Sequence, residues 1–526
     1  MRFFLINLKS EKVLLILVIL AGSILRLSYT DKQIFGVDQT LTMTTLEKMS
    51  QSLTSGNFSS LPLEFPATTS RFLNLDKSAK LYNGAFLYYL IFPMALITSF
   101  NPARLVLAFA LISITSIYLG FTVGKELFNV ETGLMTSLFM ATSGWMVEYS
   151  KAIWYPTLIV FFVLLAFLAL AKIIKKYSWY YWLLLSFSLG TITQLHISGY
   201  LFLIFILFII IYFKIIPPMG IFRRLVILVA FLIPLIPTII REISSGFILC
   251  KSFFKIFISQ TVNGSLGTII NNLIQIPMWF LFYIKSLYGY TTIFNNSSSS
   301  LWTGTAFIFI ITTLLLLKNY SSFFTRDSHV ILLIGFIFFF MAPWFVTKYY
   351  DGGLLNSRFS DVSFAAIIIM APIFYLWISY FVSVSFENFR TRIFIIPFLF
   401  ITVFLNTYNI KERIWDNRQG RFNFADSIYI TSEISKDTGN QPFELIYADD
   451  EPGGFFVYLF GLERSIAPER LNHTDFVENP GFKLNGGLAA NIYTIVRSYN
   501  ASAVDNSSNQ EIMQKGSFKL FKNYER

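Results

Sequence analysis

Apolar runs long enough to cross a membrane recur along this chain between residues 12 and 408, and they leave few folds open to it. Crossing about 30 Å of hydrocarbon takes roughly 20 apolar residues in a helix. Lipid offers no hydrogen bonds, so each span must satisfy its own backbone, and a helix does so within one segment. The composition is 55% hydrophobic and 13% charged, whereas a soluble chain carries roughly a quarter charged residues. A mean hydropathy of +0.60 agrees with this. The expected fold is an all-α polytopic membrane protein of about 11–13 transmembrane helices, with a small extracytoplasmic α/β domain at its C-terminal end. The net charge of +11 does not point to nucleic acid, because the basic residues fall in short loops between spans, where they set topology. Cys250 is the one cysteine, which excludes an internal disulfide or a cysteine metal cluster. His196, His329 and His473 are scattered in sequence, and no metal or cofactor is expected.

Basic loops on the inner face give a register. The N-terminus has basic residues before an apolar core but no small-x-small cleavage site, so it reads as a retained span, 12–28, with a cytoplasmic N-terminus. Span 105–123 then runs inward to Lys125, 131–149 outward, 156–172 inward to Lys172, Lys175 and Lys176, and 179–196 outward to His196. Span 199–213 ends inside near Lys214, Arg223 and Arg224, and 225–240 exits to an outer loop over 241–300 with an aromatic stretch at 274–290. Spans 301–317, 329–346, 362–384 and 393–408 complete the alternation. If 81–100, with Pro93 inside it, crossed fully, the same basic clusters would face outward; it reads as re-entrant or interfacial. This divides the chain into a transmembrane domain, 1–408, whose first outer loop is 29–104, and the C-terminal domain, 409–526. In the latter, FELIYADD, NIYTIVRSY and GSFKLFKNY read as strands and FNFADSIYITSEISKD as a helix.

The first outer loop sets Asp38, Glu47, Glu64, Asp76, Lys77 and Lys80 beside an apolar bilayer, where charges are costly unless paired or used. Asp38 is a candidate general base, or the N-cap of the TLTMTTLEKM segment. Lys77 and Lys80 suit a phosphate, or snorkel at the edge of LYNGAFLYYL. Asn83-Gly84 marks a turn there. Glu148, Lys151 and Trp154 follow at i, i+3 and i+6, broadly one helix face, before Pro156 opens the next span. They form a phosphate site or an aromatic belt with a Glu–Lys pair. His196, near Gln194, is a ligand or a satisfied packing residue. Arg358 meets a lipid phosphate or pairs with Asp361. The acidic string 449–451 is a metal candidate of little weight, since turns routinely carry such residues.

Taken in order, these phrases resemble the C superfamily of polytopic glycosyltransferases, in the branch with protein O-mannosyltransferases and aminoarabinose transferases. An acidic motif, usually Asp-Glu, follows the first span of that family and is matched by Asp38-Gln39. LYNGAFLYYLIFP (81–93) matches its short aromatic helix, and Asn101, Pro102 and Arg104 its Asn-Pro-x-x-Arg phrase. Tyr149 to Pro156 match Tyr-Ser-Arg-x-x-Trp-x-Pro, with Lys151 for the arginine; Thr193 to His196 match Leu-Gln-Leu-His, and Arg358-Phe359 an Arg-Tyr phrase. The resemblance covers 29–200 well and 340–380 loosely. It implies a cell-membrane enzyme that moves a sugar from a polyprenyl-phosphate donor to a lipid, glycan or protein acceptor at the outer face. Asp38 is then the general base, and Lys80, Asn83, Arg104, Lys151, Trp154, His196 and Arg358 hold the donor, with Lys80, Lys151 and Arg358 at its phosphate. Gln39 in place of the second carboxylate argues against a role needing both acids, such as metal binding. The alternatives are a lipid-linked oligosaccharide flippase or transporter, which charged residues in mid-span would favour, and an inactive member of the family.

Overall fold

The computed structural model describes residues 8–28, 30, 37–65, 83–175, 178–196, 198–215, 219–251, 335 and 361–387, five positions between 403 and 410, the helix 424–438, and the strands 443–447, 483–485, 491–497, 509–515 and 518–523. Helix α1 (Leu8–Leu27) opens the bundle. Helices α2 (Val37–Ser55) and α3 (Phe86–Ile97) flank a pair of two-residue strands, β1 (Glu64–Phe65) and β2 (Asn83–Gly84). Then come α4 (Pro102–Leu127), α5 (Val130–Thr142), α6 (Gly144–Tyr149), α7 (Tyr155–Lys175), α8 (Trp179–Leu195), α9 (Gly199–Tyr212), α10 (Ile221–Ser245) and α11 (Asp361–Glu387). Three of the described helices, α4, α7 and α10, are long and apolar enough to cross a membrane. The architecture is that of a mostly helical chain with several apolar helices, as a polytopic membrane protein has.

Local sequence signals account for the helix boundaries. Asn101 caps α4: its side chain accepts the Arg104 N–H at 3.2 Å, and Pro102 takes the first turn, where its missing N–H costs nothing. Asn129 caps α5 in the same way through the Thr132 N–H at 2.7 Å. Helix α10 ends on Gly246, at φ 71°, a left-handed conformation that glycine adopts without strain. Helices α4 and α5 pack with their backbones in contact: a Cβ on Gly124 would lie 2.8 Å from the Gly133 Cα. Small residues allow this approach, which drives association where both lipid and side chains are apolar.

Side-chain pairs fix the helix directions. At one end, Lys125 meets Glu11 at 2.8 Å, and Glu126 meets Lys172 at 2.5 Å and Lys175 at 3.6 Å. Toward the other end, Arg26 reaches the Ala141 and Met140 carbonyls, and the Thr157 hydroxyl donates to the Tyr149 carbonyl. Helix α11 is tied to Ser143 through Tyr375 and to Thr132 through Ser383. So α1 and α5 run one way, and α4, α7 and α11 the other. The chain leaves α1 and enters α4 at the same end of the bundle. Helix α3 has 12 residues, about 18 Å at 1.5 Å each, too short to cross. Ser99 and Phe100, at φ 53° and 55°, then turn the chain into α4.

The stretch 131–149, expected as one span, is two helices. Ser143 breaks it with an extended backbone (φ −60°, ψ 115°), and its Oγ accepts the Met146 N–H at 3.4 Å and the Tyr375 hydroxyl at 2.6 Å. In the C-terminal region, α12 (Phe424–Thr438) precedes strands β3 (Phe443–Tyr447), β4 (Lys483–Asn485), β5 (Asn491–Arg497), β6 (Asn509–Lys515) and β7 (Phe518–Asn523). Their order is β4-β3-β5-β7-β6, with β3 parallel to β5 and every other pairing antiparallel. The spans expected at 301–317 and 329–346 (Gly335 apart), most of 393–408 and the stretch 274–290 lie outside the described residues.

Candidate functional site

The described residues between α1 and α4, 37–65 and 83–101, form a layer at the end of the bundle where α1 stops. Asp38 stands in the first turn of α2, which starts at Val37. The helix is buried on several sides just beyond it, at Gln39, Thr40, Thr42, Met43 and Leu46. Strand β1 pairs antiparallel with β2, Glu64 opposite Gly84 and Phe65 opposite Asn83. Asn83-Gly84 is therefore a strand and not the expected turn. The glycine answers to space: a Cβ on it would lie 1.9 Å from Gln194 Oε1 and 3.1 Å from Gln194 Cα. Gln194, buried near the end of α8, also accepts the Thr238 hydroxyl from α10. Asn83 is buried beside this contact.

A chain of rings runs along the same layer. Tyr149 and Trp154 are 5.6 Å apart, Trp154 and Tyr155 4.8 Å, and Tyr155 and His196 5.2 Å. Trp145 joins it 5.3 Å from Tyr149. His196 is fully buried just past α8. Its Nδ1 lies 2.9 Å from the Ser198 hydroxyl and 3.2 Å from the Ser198 backbone N. His196 Nε2 and the Trp145 Nε1–H are buried with no partner among the described residues. Ser113, Ser116, Trp145, Tyr149 and Thr157 line a narrow cleft below the ring chain.

Glu148, Lys151 and Trp154 do not share a helix face, because α6 stops at Tyr149 and the next five residues form a turn before α7. The Lys151 N–H closes that turn on the Glu148 carbonyl at 3.0 Å. The Lys151 ammonium is buried, only 2% exposed. It donates to the Arg26 carbonyl at 3.0 Å and to the Ser28 carbonyl. Arg26, near the end of the expected span 12–28, is fully buried. Its guanidinium donates to Ser113 Oγ at 2.8 Å, Met140 O at 2.8 Å, Ala141 O at 2.9 Å and Gly22 O at 3.1 Å. The only sequence signal for it was an arginine at the very end of an apolar run, which topology alone explains.

Of the residues singled out by sequence, Asn83, Lys151, Trp154 and His196 come together in this layer. Asp38 stands at the start of α2, and Arg104 lies exposed on the first turn of α4. Lys77, Lys80, Arg358 and the acidic string 449–451 fall outside the described residues.

The chain is similar to several solved structures. ArnT from Cupriavidus metallidurans in the apo state is 11% identical, with 98% of each chain covered and a TM-score of 0.49. The same protein bound to undecaprenyl phosphate is 12% identical over 98% of each chain, with a TM-score of 0.46. The Archaeoglobus fulgidus oligosaccharyltransferase in the apo form is 14% identical, with a TM-score of 0.49 and 83% of this chain covered. This chain spans 59% of that oligosaccharyltransferase. No known protein family and no curated protein sequence matches it.

Proposed function

We propose that this protein is a membrane glycosyltransferase that moves a sugar from a polyprenyl-phosphate donor to an acceptor hydroxyl at the outer face of the cell membrane. One observation carries the reading. Phrases spread from residue 83 to residue 196 meet in a single layer, at the end of the bundle from which the Asp38-bearing segment departs. Lys125, Lys172 and Lys175 lie at the opposite end, the inner face by the distribution of basic residues. The N-terminus is then cytoplasmic, and residues 409–526 form an extracytoplasmic domain.

Asp38 takes the proton of the acceptor hydroxyl. The acceptor oxygen attacks the anomeric carbon from the face opposite the phosphate. The bond from that carbon to the phosphate oxygen breaks, and polyprenyl phosphate leaves with the electron pair. The configuration inverts. Lys80 and Arg358 stabilise the charge that develops on the phosphate. The His196 Nε2–H donates to a donor oxygen, Asn83 and Arg104 hold polar groups of the substrate, and Trp154 packs against the sugar. The acceptor is a lipid, a glycan or a protein.

The test uses full-length protein in nanodiscs, donors extracted from the source cells' own membranes, and a membrane extract as acceptor. Release of polyprenyl phosphate is followed for wild type and Asp38→Asn. Loss of a general base lowers turnover by about 10²–10⁴-fold. Undiminished release by a normally expressed Asp38→Asn protein rules out the assignment.

A further inference from the structure

The resemblance assigns Lys151 to the donor phosphate, but its geometry leads elsewhere. A helix leaves its last four carbonyls without partners inside the helix, and cations are favoured there by the helix dipole. Helix α5 ends at Thr142, and Arg26 of α1 donates to two of its terminal carbonyls, those of Met140 and Ala141. Helix α1 ends at Leu27, and Lys151 donates to the carbonyls of Arg26 and Ser28 around that end. Lys151 itself follows α5 and α6 in the chain. Each cation thus caps the helix that the other depends on, in a closed clasp of α5, α1 and the turn after α6. Both side chains are almost wholly buried, and buried cations of this kind persist in a membrane when backbone carbonyls receive them.

We propose that Lys151 and Arg26 are positioning residues for the transfer reaction. Together they hold the end of α1, whose Ser28 precedes Asp38 by ten residues in the sequence, in register with the turn that carries Trp154 and Tyr155. The ammonium spends two of its N–H bonds on carbonyls of α1's end. It serves the site through the base rather than through the phosphate. The proposal rests on the glycosyltransferase reading above.

Two readouts separate the roles. With full-length protein in nanodiscs, binding of sugar-free polyprenyl phosphate gives a Kd, and its release from saturating donor gives kcat. A misplacement of about 1 Å is enough to cost roughly 10²-fold in rate. Lys151→Met is therefore expected to lower kcat by about 10²-fold while Kd stays within about twofold of wild type. Lys151→Arg, which keeps donors at that place, recovers part of the rate. Arg26→Lys, which keeps the charge and loses the fork, shows the same kcat-only defect and serves if Lys151→Met fails to fold. A tenfold weaker Kd in Lys151→Met with kcat preserved at saturation overturns the proposal and returns Lys151 to the phosphate. Unchanged kcat in both Lys151→Met and Arg26→Lys overturns it too. A wild-type protein that neither binds polyprenyl phosphate nor releases it from donor refutes the glycosyltransferase reading itself, and the proposal with it.

Discussion

At Gly84 a single methyl group would lie 1.9 Å from the Gln194 amide oxygen and 3.1 Å from the Gln194 Cα. The side chain can turn aside, but the Cα cannot without moving α8. Gly84→Ala is expected to lower stability by about 1–3 kcal/mol, the usual cost of overpacking, read as an earlier thermal transition in detergent. Adding Gln194→Ala recovers only part of the loss, because the backbone contact remains; full recovery would show that the contact is with the side chain alone. The sequence marked Asn83-Gly84 as special but assigned it to a turn, since a close approach across more than a hundred residues leaves no local trace. His196 was likewise legible as a residue at the end of a span. Its contact with Ser198 was not, because that depends on the Ser198 backbone and hydroxyl folding back onto Nδ1.

Between α5 and α6, Ser143 both ends one helix and starts the next, and it is also the acceptor for the Tyr375 hydroxyl. Ser143→Ala leaves a buried phenol without its acceptor, at about 1–3 kcal/mol, and removes a cap as well. Tyr375→Phe removes the donor and leaves a smaller deficit. The double variant is expected to be no less stable than Ser143→Ala alone, and a double-mutant cycle on thermal stability measures the coupling. Strict additivity would mean that the two hydroxyls do not depend on each other. Hydrophobic periodicity found most described helices within a few residues, because each long apolar run has one economical solution in lipid. It missed the break at Ser143 because a serine inside an apolar run carries no signal of its own, and the tyrosine that exploits it lies on α11, far along the chain. It also missed β4 and β6, short or polar strands specified by their neighbours rather than by alternation.

For the molecule as a whole, antiparallel α1 and α4 require residues 28 to 101 to begin and end on one side of the membrane. The single cysteine makes this testable. In a Cys250→Ser background, cysteines at Ser59 and Arg104 are expected to react with an impermeant maleimide from the same side, and one at Lys175 from the other. Opposite labelling of Ser59 and Arg104 would mean that 86–97 crosses after all. The basic loops led to the same expectation from sequence, because Lys and Arg in short loops near span ends bias which face they stay on. What the chain could not announce was the clasp of Arg26 and Lys151, since the carbonyls that receive them come together only when the helices meet. The pairing of β1 with β2 has a consequence for how such a protein diversifies. It sets Phe65 opposite Asn83, so the two ends of the 17-residue stretch 66–82 are held side by side by a two-residue ladder. Doubling the length of a closed loop costs only about 0.6 kcal/mol. The length of this stretch can therefore vary between such chains at little closure cost while Phe65 and Asn83 stay paired, provided that Lys80, which the proposed mechanism uses, is kept.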